Sequence, residues 1–247
     1  MNIASVGKAL HILQCFEKAD GDLGLSDIVA ISGQDKSSVQ RSTHTLHQLG
    51  YLEKNPQTKR YRLGKKVLDL TFQFLRANSL VESVNPLIIE LCQKSGEKVS
   101  LSLFDDTTLV YVMRHQVKME YYFSSLIGRR VPVYCTSGGR SILGRLQDAE
   151  VDDILARSTM LAHTSKTITD ISVIKQEIEL ARKNRYAMTV EEISYGEIAL
   201  GAAVLDSSGS PVAAIHVSGS LSDWTPQAYA EKFSPLLLET IYKINRR

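Results

Sequence analysis

No stretch of the 247 residues approaches the ~20 consecutive apolar residues needed to cross a bilayer, and no basic segment leads into an apolar signal core at the N-terminus. A cytoplasmic location with no membrane partner is therefore expected. Cysteine is scarce: Cys15, Cys92 and Cys135 are odd in number, far apart and free of any C-x-x-C spacing. This argues against a disulfide framework and a zinc site, and leaves three reduced, mostly buried thiols. Also missing are a G-x-S-x-G elbow, a phosphate loop and an H-E-x-x-H pair, and Cys135 has no identifiable His or Asn partner. No catalytic residue, metal or cofactor is assigned, and an enzyme is not expected.

What remains is an ordinary globular composition, 43% hydrophobic and 23% charged, at a length that suits two unequal domains. The formal charge of +2 conceals an asymmetry. Residues 1–78 carry 11 Lys and Arg against 7 Asp and Glu, whereas the remainder carries 18 against 20. Between Lys36 and Lys66 stand eight basic residues and one acid, Glu53. Such a segment is either a footprint for phosphates or a solvated basic face.

Apolar periodicity predicts a first helix over Ser5–Lys18 with Val6, Leu10, Leu13 and Phe16 near one face, ended by Asp20-Gly21-Asp22. A shorter helix spans about Leu25–Ile31. After Ser32-Gly33, a third begins near Asp35 as its cap and runs to Leu49, with Val39 and Leu46 inward. Tyr51–Lys54 and Arg60–Leu63 read as a hairpin with a basic tip, and Lys65–Ala77 as a helix apolar on more than one face. Beyond it, Pro86 suits the first turn of a helix. Strands are expected at Val99–Phe104, Leu109–Arg114, Glu120–Ser125, Ala187–Glu191, Ala199–Leu205 and Val212–Ser218. Helices are expected at Ser137–Leu146, Val151–Arg157, Ile171–Asn184 and Gln227–Arg246. Hairpin-rich strand groups with helices between them indicate an α+β domain with a mainly antiparallel sheet.

A helix, a Gly-containing corner and a second helix let the latter enter a DNA major groove. On that second helix Lys36, Ser37, Ser38, Gln40, Arg41 and His44 are expected to present charged and hydrogen-bonding tips for bases and phosphates. Lys54, Lys59, Arg60 and Arg62 of the hairpin lie where a wing would flank the groove. Two rival readings are an enzyme using His216, which turnover of a metabolite would reveal, and a winged helix that docks on protein, which would leave the basic segment without a purpose.

Ordered matches along the chain resemble the IclR family of bacterial regulators. They are S-V-G-K-A-L-H-I-L, G-Q-D-K-S-S-V-Q-R, L-G-Y-L-E-K-N-P-Q-T-K-R-Y-R-L-G, G-R-R-V-P-V-Y-C-T-S-G-G-R-S, T-I-T-D, Y-A-M-T-V-E-E and P-V-A-A-I-H-V-S-G. The resemblance implies a multi-domain α and α+β chain: a winged helix-turn-helix over 1–64, a linker helix over 65–78, and a GAF-like effector-binding and oligomerisation domain over 79–247. It further implies homodimers or homotetramers on double-stranded operator DNA, repressing or activating a catabolic operon in response to a small molecule. Gln34 and Ser42 stand where the family usually has apolar residues, and Val29 replaces a small Ala, so atypical packing between the two helices is expected.

In the C-terminal part, alternation along the strands sets Ala199, Gly201 and Ala203 on one face and groups Ala214, His216 and Ser218. Small residues beside polar ones leave room for a bound molecule, and the helix entry at Thr136–Ser141 offers backbone amides. A protonated His216 would add a charged hydrogen bond to a carboxylate; alternatively it is a satisfied core histidine. The family resemblance implies that Ser137, Gly138, Thr189, Ala199, His216 and Ser218 line the effector site. Relatives that bind small keto acids often carry an acidic residue, a Cys and a Ser at Thr189, Ala199 and His216. A different ligand, an aromatic or larger carboxylate, is therefore expected here. Tyr134 and Arg130 are weaker candidates that suit structural roles.

Overall fold

Three short helices open the chain: α1 (Ala4–Gln14), which runs on as a 3₁₀ turn over Cys15–Lys18, α2 (Leu25–Ser32) and α3 (Lys36–Gln48). The computed structural model describes residues 3–19, 21–117 and 127–246, and its contacts divide the chain into two units, Met1–Asn78 and Ser79–Arg247. At the α2–α3 corner Gly33 takes a left-handed φ of 67° and donates its N–H to the Val29 carbonyl, a conformation that costs glycine little. Two residues on, the Asp35 carboxylate accepts the Ser38 N–H at 2.8 Å and caps α3. Ile12, Cys15, Ile28, Val39, Leu46, Leu52 and Tyr61 make one buried core.

The inward stripe of α1 differs from the expected one. Val6 and Leu10 are 53% and 56% exposed, while Ile12 is fully buried and Ala9, Leu13 and Phe16 pack beside it. Two apolar stripes on this helix share residues 13 and 16, and the one that contains the small Ala9 packs against the core. Val29 is accommodated against the core. Gln34 donates its side-chain N–H to the Lys8 carbonyl at 3.1 Å and leaves its own oxygen buried without a partner among the described residues.

β1 (Leu52–Lys54) and β2 (Tyr61–Leu63) form the hairpin, with Glu53 opposite Arg62. The Asn55 side-chain oxygen accepts the N–H groups of Gln57 and Thr58 and shapes the tip, as turn asparagines do. Leu23 and Tyr61 exchange two backbone hydrogen bonds, tying the segment before α2 to the hairpin. The helix α4 (Lys66–Ala77) buries none of its residues and leaves Leu68, Leu70, Phe72 and Phe74 each more than half exposed.

The second unit is a six-stranded antiparallel sheet of order β5-β4-β3-β8-β7-β6, made of β3 (Lys98–Asp105), β4 (Thr108–His115), β5 (Arg130–Pro132), β6 (Ala187–Val190), β7 (Glu197–Leu205) and β8 (Pro211–Ser220). The helices α5 (Ser79–Ser95) and α9 (Pro226–Asn245) cover one face, and α6 (Ser137–Leu143) covers the other. α7 (Asp148–Arg157) and α8 (Ile171–Asn184) add Val151, Ile154, Leu155, Ile174 and Ile178 to the α6 side of the core. Pro86 lies inside α5 and not in its first turn; the buried Val84, Leu87, Ile88 and Leu91 around it hold the helix despite the missing N–H. The expected strand Glu120–Ser125 lies outside the described residues. β5 was not anticipated, because three residues ending in a proline carry too little periodicity.

One buried ion pair ties two loops of this unit to α6. The Arg140 guanidinium meets both Glu192 oxygens at 2.6 and 2.8 Å and the Tyr134 carbonyl at 2.8 Å, with both charged side chains under 5% exposed. Glu192 also accepts the Ile168 N–H, while Thr164 and Thr167 donate their hydroxyls to the Glu191 and Glu192 carbonyls. The T-I-T-D stretch thus latches the β6–β7 turn, and its Asp170 caps α8. Tyr134 belongs to the same scaffold through Leu161, and Arg130 is an exposed ion-pair partner of Asp105. Arg140→Met should lower unfolding stability by about 3–5 kcal/mol, since it strands the Glu192 charge in the core. Chemical denaturation checks this, and a loss below about 1 kcal/mol, the size of an exposed pair, would remove the pair from this role.

Candidate functional site

α3 presents Lys36, Ser37, Gln40, Arg41 and His44 to solvent. Arg41 Nη1 donates to Ser37 Oγ at 2.9 Å, which steadies the guanidinium on the helix surface without neutralising it. Ser38 does not belong to this row. It is 6% exposed, because its N–H is taken by the cap and its side chain turns toward α1, where Lys8 Nζ donates to its Oγ at 3.4 Å. Lys8 is thereby set beside the start of α3, a placement that helix periodicity on its own does not reveal.

The hairpin packs on α3 through Leu46 and Leu52 of the shared core, and its four basic residues divide into two kinds. Lys59 stands at the tip with φ of 60°, and Lys54 lies 5.1 Å from the centre of the Tyr61 ring; neither makes an ion pair among the described residues. Arg60 instead reaches back to the Asp22 carbonyl at 2.7 Å and the Asp27 carboxylate at 2.7 Å. Arg62 lies against its cross-strand neighbour Glu53 at 2.8 Å. Both arginines lie on the hairpin expected to flank the groove, and register and the corner before α2 supply each with an internal acid.

In the second unit, strand register sets two polar rows across the sheet face that α6 covers. Thr189, Ala199 and Ser218 are neighbours on β6, β7 and β8. Gly201, His216, Ser100 and Arg114 are neighbours on β7, β8, β3 and β4. Thr189, Ala199, Ser218, His216 and Ser137 line one pocket of about 30 Å³, together with Tyr111 and the turn carrying Glu191 and Glu192. Gly138 does not line it but lies under the His216 ring: a Cβ there would fall 2.2 Å from His216 Cε1, so only glycine fits. Ser137 Oγ is buried with no hydrogen-bond partner among the described residues, an expensive state for a hydroxyl that nothing else compensates. A pocket of this size holds about one water molecule, so any organic ligand has to widen it.

Of the two alternatives for His216, the neutral one fits its surroundings. Burial, reinforced by the nearby Arg114, holds its imidazole down to about 3, and the neutral ring shares a 2.7 Å hydrogen bond with Ser102 Oγ. Ser100, Ser102, Tyr111 and Arg114 escaped the sequence reading because their relation to His216 exists only through the β3–β8 and β3–β4 pairings. The three cysteines are buried and form no disulfide, and burial pushes the Cys135 thiol up to about 12. Between pH about 6.5, the ordinary imidazole value, and about 3, the unfolded chain binds a proton that folded His216 refuses, so stability is lost as pH falls. His216→Gln should remove a slope of about 1.4 kcal/mol per pH unit in that window, read by denaturation at several pH values. Parallel curves for the two proteins would mean that His216 titrates normally.

Known proteins sharing this arrangement are regulators. The IclR helix-turn-helix domain family matches residues 5–56, and the bacterial transcriptional regulator IclR C-terminal family matches residues 72–246. The Pca regulon regulatory protein of Pseudomonas putida is 27% identical over 237 residues, covering 96% of this chain and 81% of that protein. The IclR crystal structure of Thermotoga maritima superposes with a TM-score of 0.74 at 28% identity, covering 99% of this chain and 98% of that one. An IclR homologue of Microbacterium hydrocarbonoxydans, crystallised with 4-hydroxybenzoate, shares the fold with a TM-score of 0.79 at 18% identity over 98% of each chain. With both of its units matched in order by the two halves of one regulator family, the chain belongs to the IclR family of transcriptional regulators.

Proposed function

We propose that this regulator controls a catabolic operon by holding double-stranded operator DNA as a homodimer or homotetramer and changing its grip when a small organic acid enters the pocket of the second unit. The observation that carries the DNA half is the α3 surface, where Lys36, Ser37, Gln40, Arg41 and His44 stand exposed on a helix whose cap and core side chains are otherwise committed. These residues read bases and phosphates, and Lys54 and Lys59 of the hairpin add phosphate contacts. Arg60 and Arg62 contribute less, because contact with DNA has to compete with Asp27 and Glu53.

The effector half rests on the orphaned Ser137 hydroxyl facing a pocket lined by Thr189, Ala199, His216 and Ser218, with Gly138 beneath the imidazole. The 4-hydroxybenzoate held by the Microbacterium homologue supports an aromatic acid as ligand. The exposed apolar side chains of α4 support self-association. In a dimer, the two α3 helices would meet half-sites about 34 Å apart, one turn of DNA, or a multiple of it.

Genomic footprinting with and without 4-hydroxybenzoate tests the whole reading: protected sites upstream of a degradative operon that change with the acid are expected, and uniform, sequence-independent protection would sink it. Arg41→Glu should abolish operator mobility shifts while circular dichroism stays unchanged. In salt titrations, Lys59→Gln should flatten the log–log dependence of binding by about 0.9, the release expected for one phosphate contact, and Arg60→Gln by clearly less. Equal effects of the two substitutions would place Arg60 on the DNA as well.

A further inference from the structure

With His216 neutral, the pocket lacks the cation that an acid effector needs, and the same cross-strand row supplies one. Arg114 stands two strands from His216, on β4, and is half-buried. Its Nε donates to Ser100 Oγ at 3.0 Å, which fixes the plane of the guanidinium. Among the described residues no carboxylate forms an ion pair with it, whereas the buried Arg140 is held by Glu192. Glu197, on the pocket wall, acts on Arg114 only at a distance, and the exposed Arg129 adds repulsion. A partly desolvated guanidinium whose terminal nitrogens meet no protein acceptor among the described residues favours an anion, and its planar geometry matches a carboxylate.

Tyr111 separates this group from the pocket. Its ring lines the pocket, with its centre 5.3 Å from that of His216 and 5.8 Å from Arg114 Cζ. The pocket has to widen to take any organic ligand, and displacement of this one ring widens it toward the cation. We propose that Arg114 binds the carboxylate of the effector and so determines the selection of acids over neutral analogues, with the Tyr111 ring moving aside to admit it. This rests on the effector-pocket reading above. The hydroxyls of Ser137, Thr189 and Ser218 then face the remainder of the ligand, and Ser100 is a positioning residue that acts through the guanidinium.

The test compares the full-length protein binding sodium 4-hydroxybenzoate and the neutral, similarly shaped 4-hydroxybenzamide by titration calorimetry. Wild type should favour the acid by roughly ten-fold or more, the worth of one charge-assisted hydrogen bond. Arg114→Gln should erase that preference while leaving the amide affinity in place, and Arg114→Lys, which keeps charge but loses the fork, should fall between. A preference that survives in Arg114→Gln, equal binding of acid and amide by wild type, or binding of neither compound at millimolar concentration overturns the proposal. Ala199→Leu, which fills the pocket wall, distinguishes the pocket from the cation. It should weaken both compounds alike. If both bind Ala199→Leu as they bind wild type, the pocket reading fails, and a preference still abolished by Arg114→Gln would then leave Arg114 as a carboxylate site elsewhere than in this pocket.

Discussion

Inside the second unit a guanidinium and a carboxylate meet with almost no water around them, and the walls of the pocket depend on that contact. Arg140 belongs to α6, which also carries Ser137 and Gly138; Glu192 belongs to the β6–β7 turn, which forms the opposite wall. Desolvating two such charges costs several kcal/mol each, and the cost is offset only because the remaining lone pairs and protons are satisfied by Tyr134 and Ile168. A pair of this kind contributes less to net stability than to uniqueness: it admits one relation between helix and turn. The segment bearing Thr164 and Thr167 fastens to the same turn through backbone carbonyls, so a ligand that pushes the turn outward works against several hydrogen bonds at once.

Polar groups on the sheet face contrast with this satisfied scaffold. Ser102 and His216 satisfy each other, Arg114 is half satisfied by Ser100, and Ser137 is not satisfied at all. Uncompensated polarity of this sort is rare in a closed core, and the Ser137 hydroxyl stands beside the glycine that lets α6 approach His216. In the first unit Arg60 and Arg62 each reach an acid within the fold, whereas Lys36 and Arg41 of α3 and Lys59 at the hairpin tip face solvent without an ion pair among the described residues.

Much of this was legible in the sequence. The α2–α3 corner could be placed from Ser32-Gly33 and Asp35, and the inward positions Val39 and Leu46 from their spacing, because helix capping and periodicity are local properties. The α+β nature of the second unit and ten of its helices and strands followed from alternation and turn residues. Less legible were the stripe of α1, where two faces compete and only the identity of the packing partner decides, and β5, which is too short to have a pattern. Ser38 was assigned outward from its residue type, yet the cap and Lys8 draw it in.

By itself, then, the amino-acid order determined the elements, the concentration of positive charge between Lys36 and Lys66, and the clustering of small and polar residues on two neighbouring strands. Only tertiary structure decided which charges are spent internally and which are available, that His216 is neutral, and that Arg114, about a hundred residues earlier in the chain, stands in the same row. The physical reason is that propensity and periodicity act over a few residues, whereas desolvation and ion pairing depend on which distant strands and helices come to lie against each other.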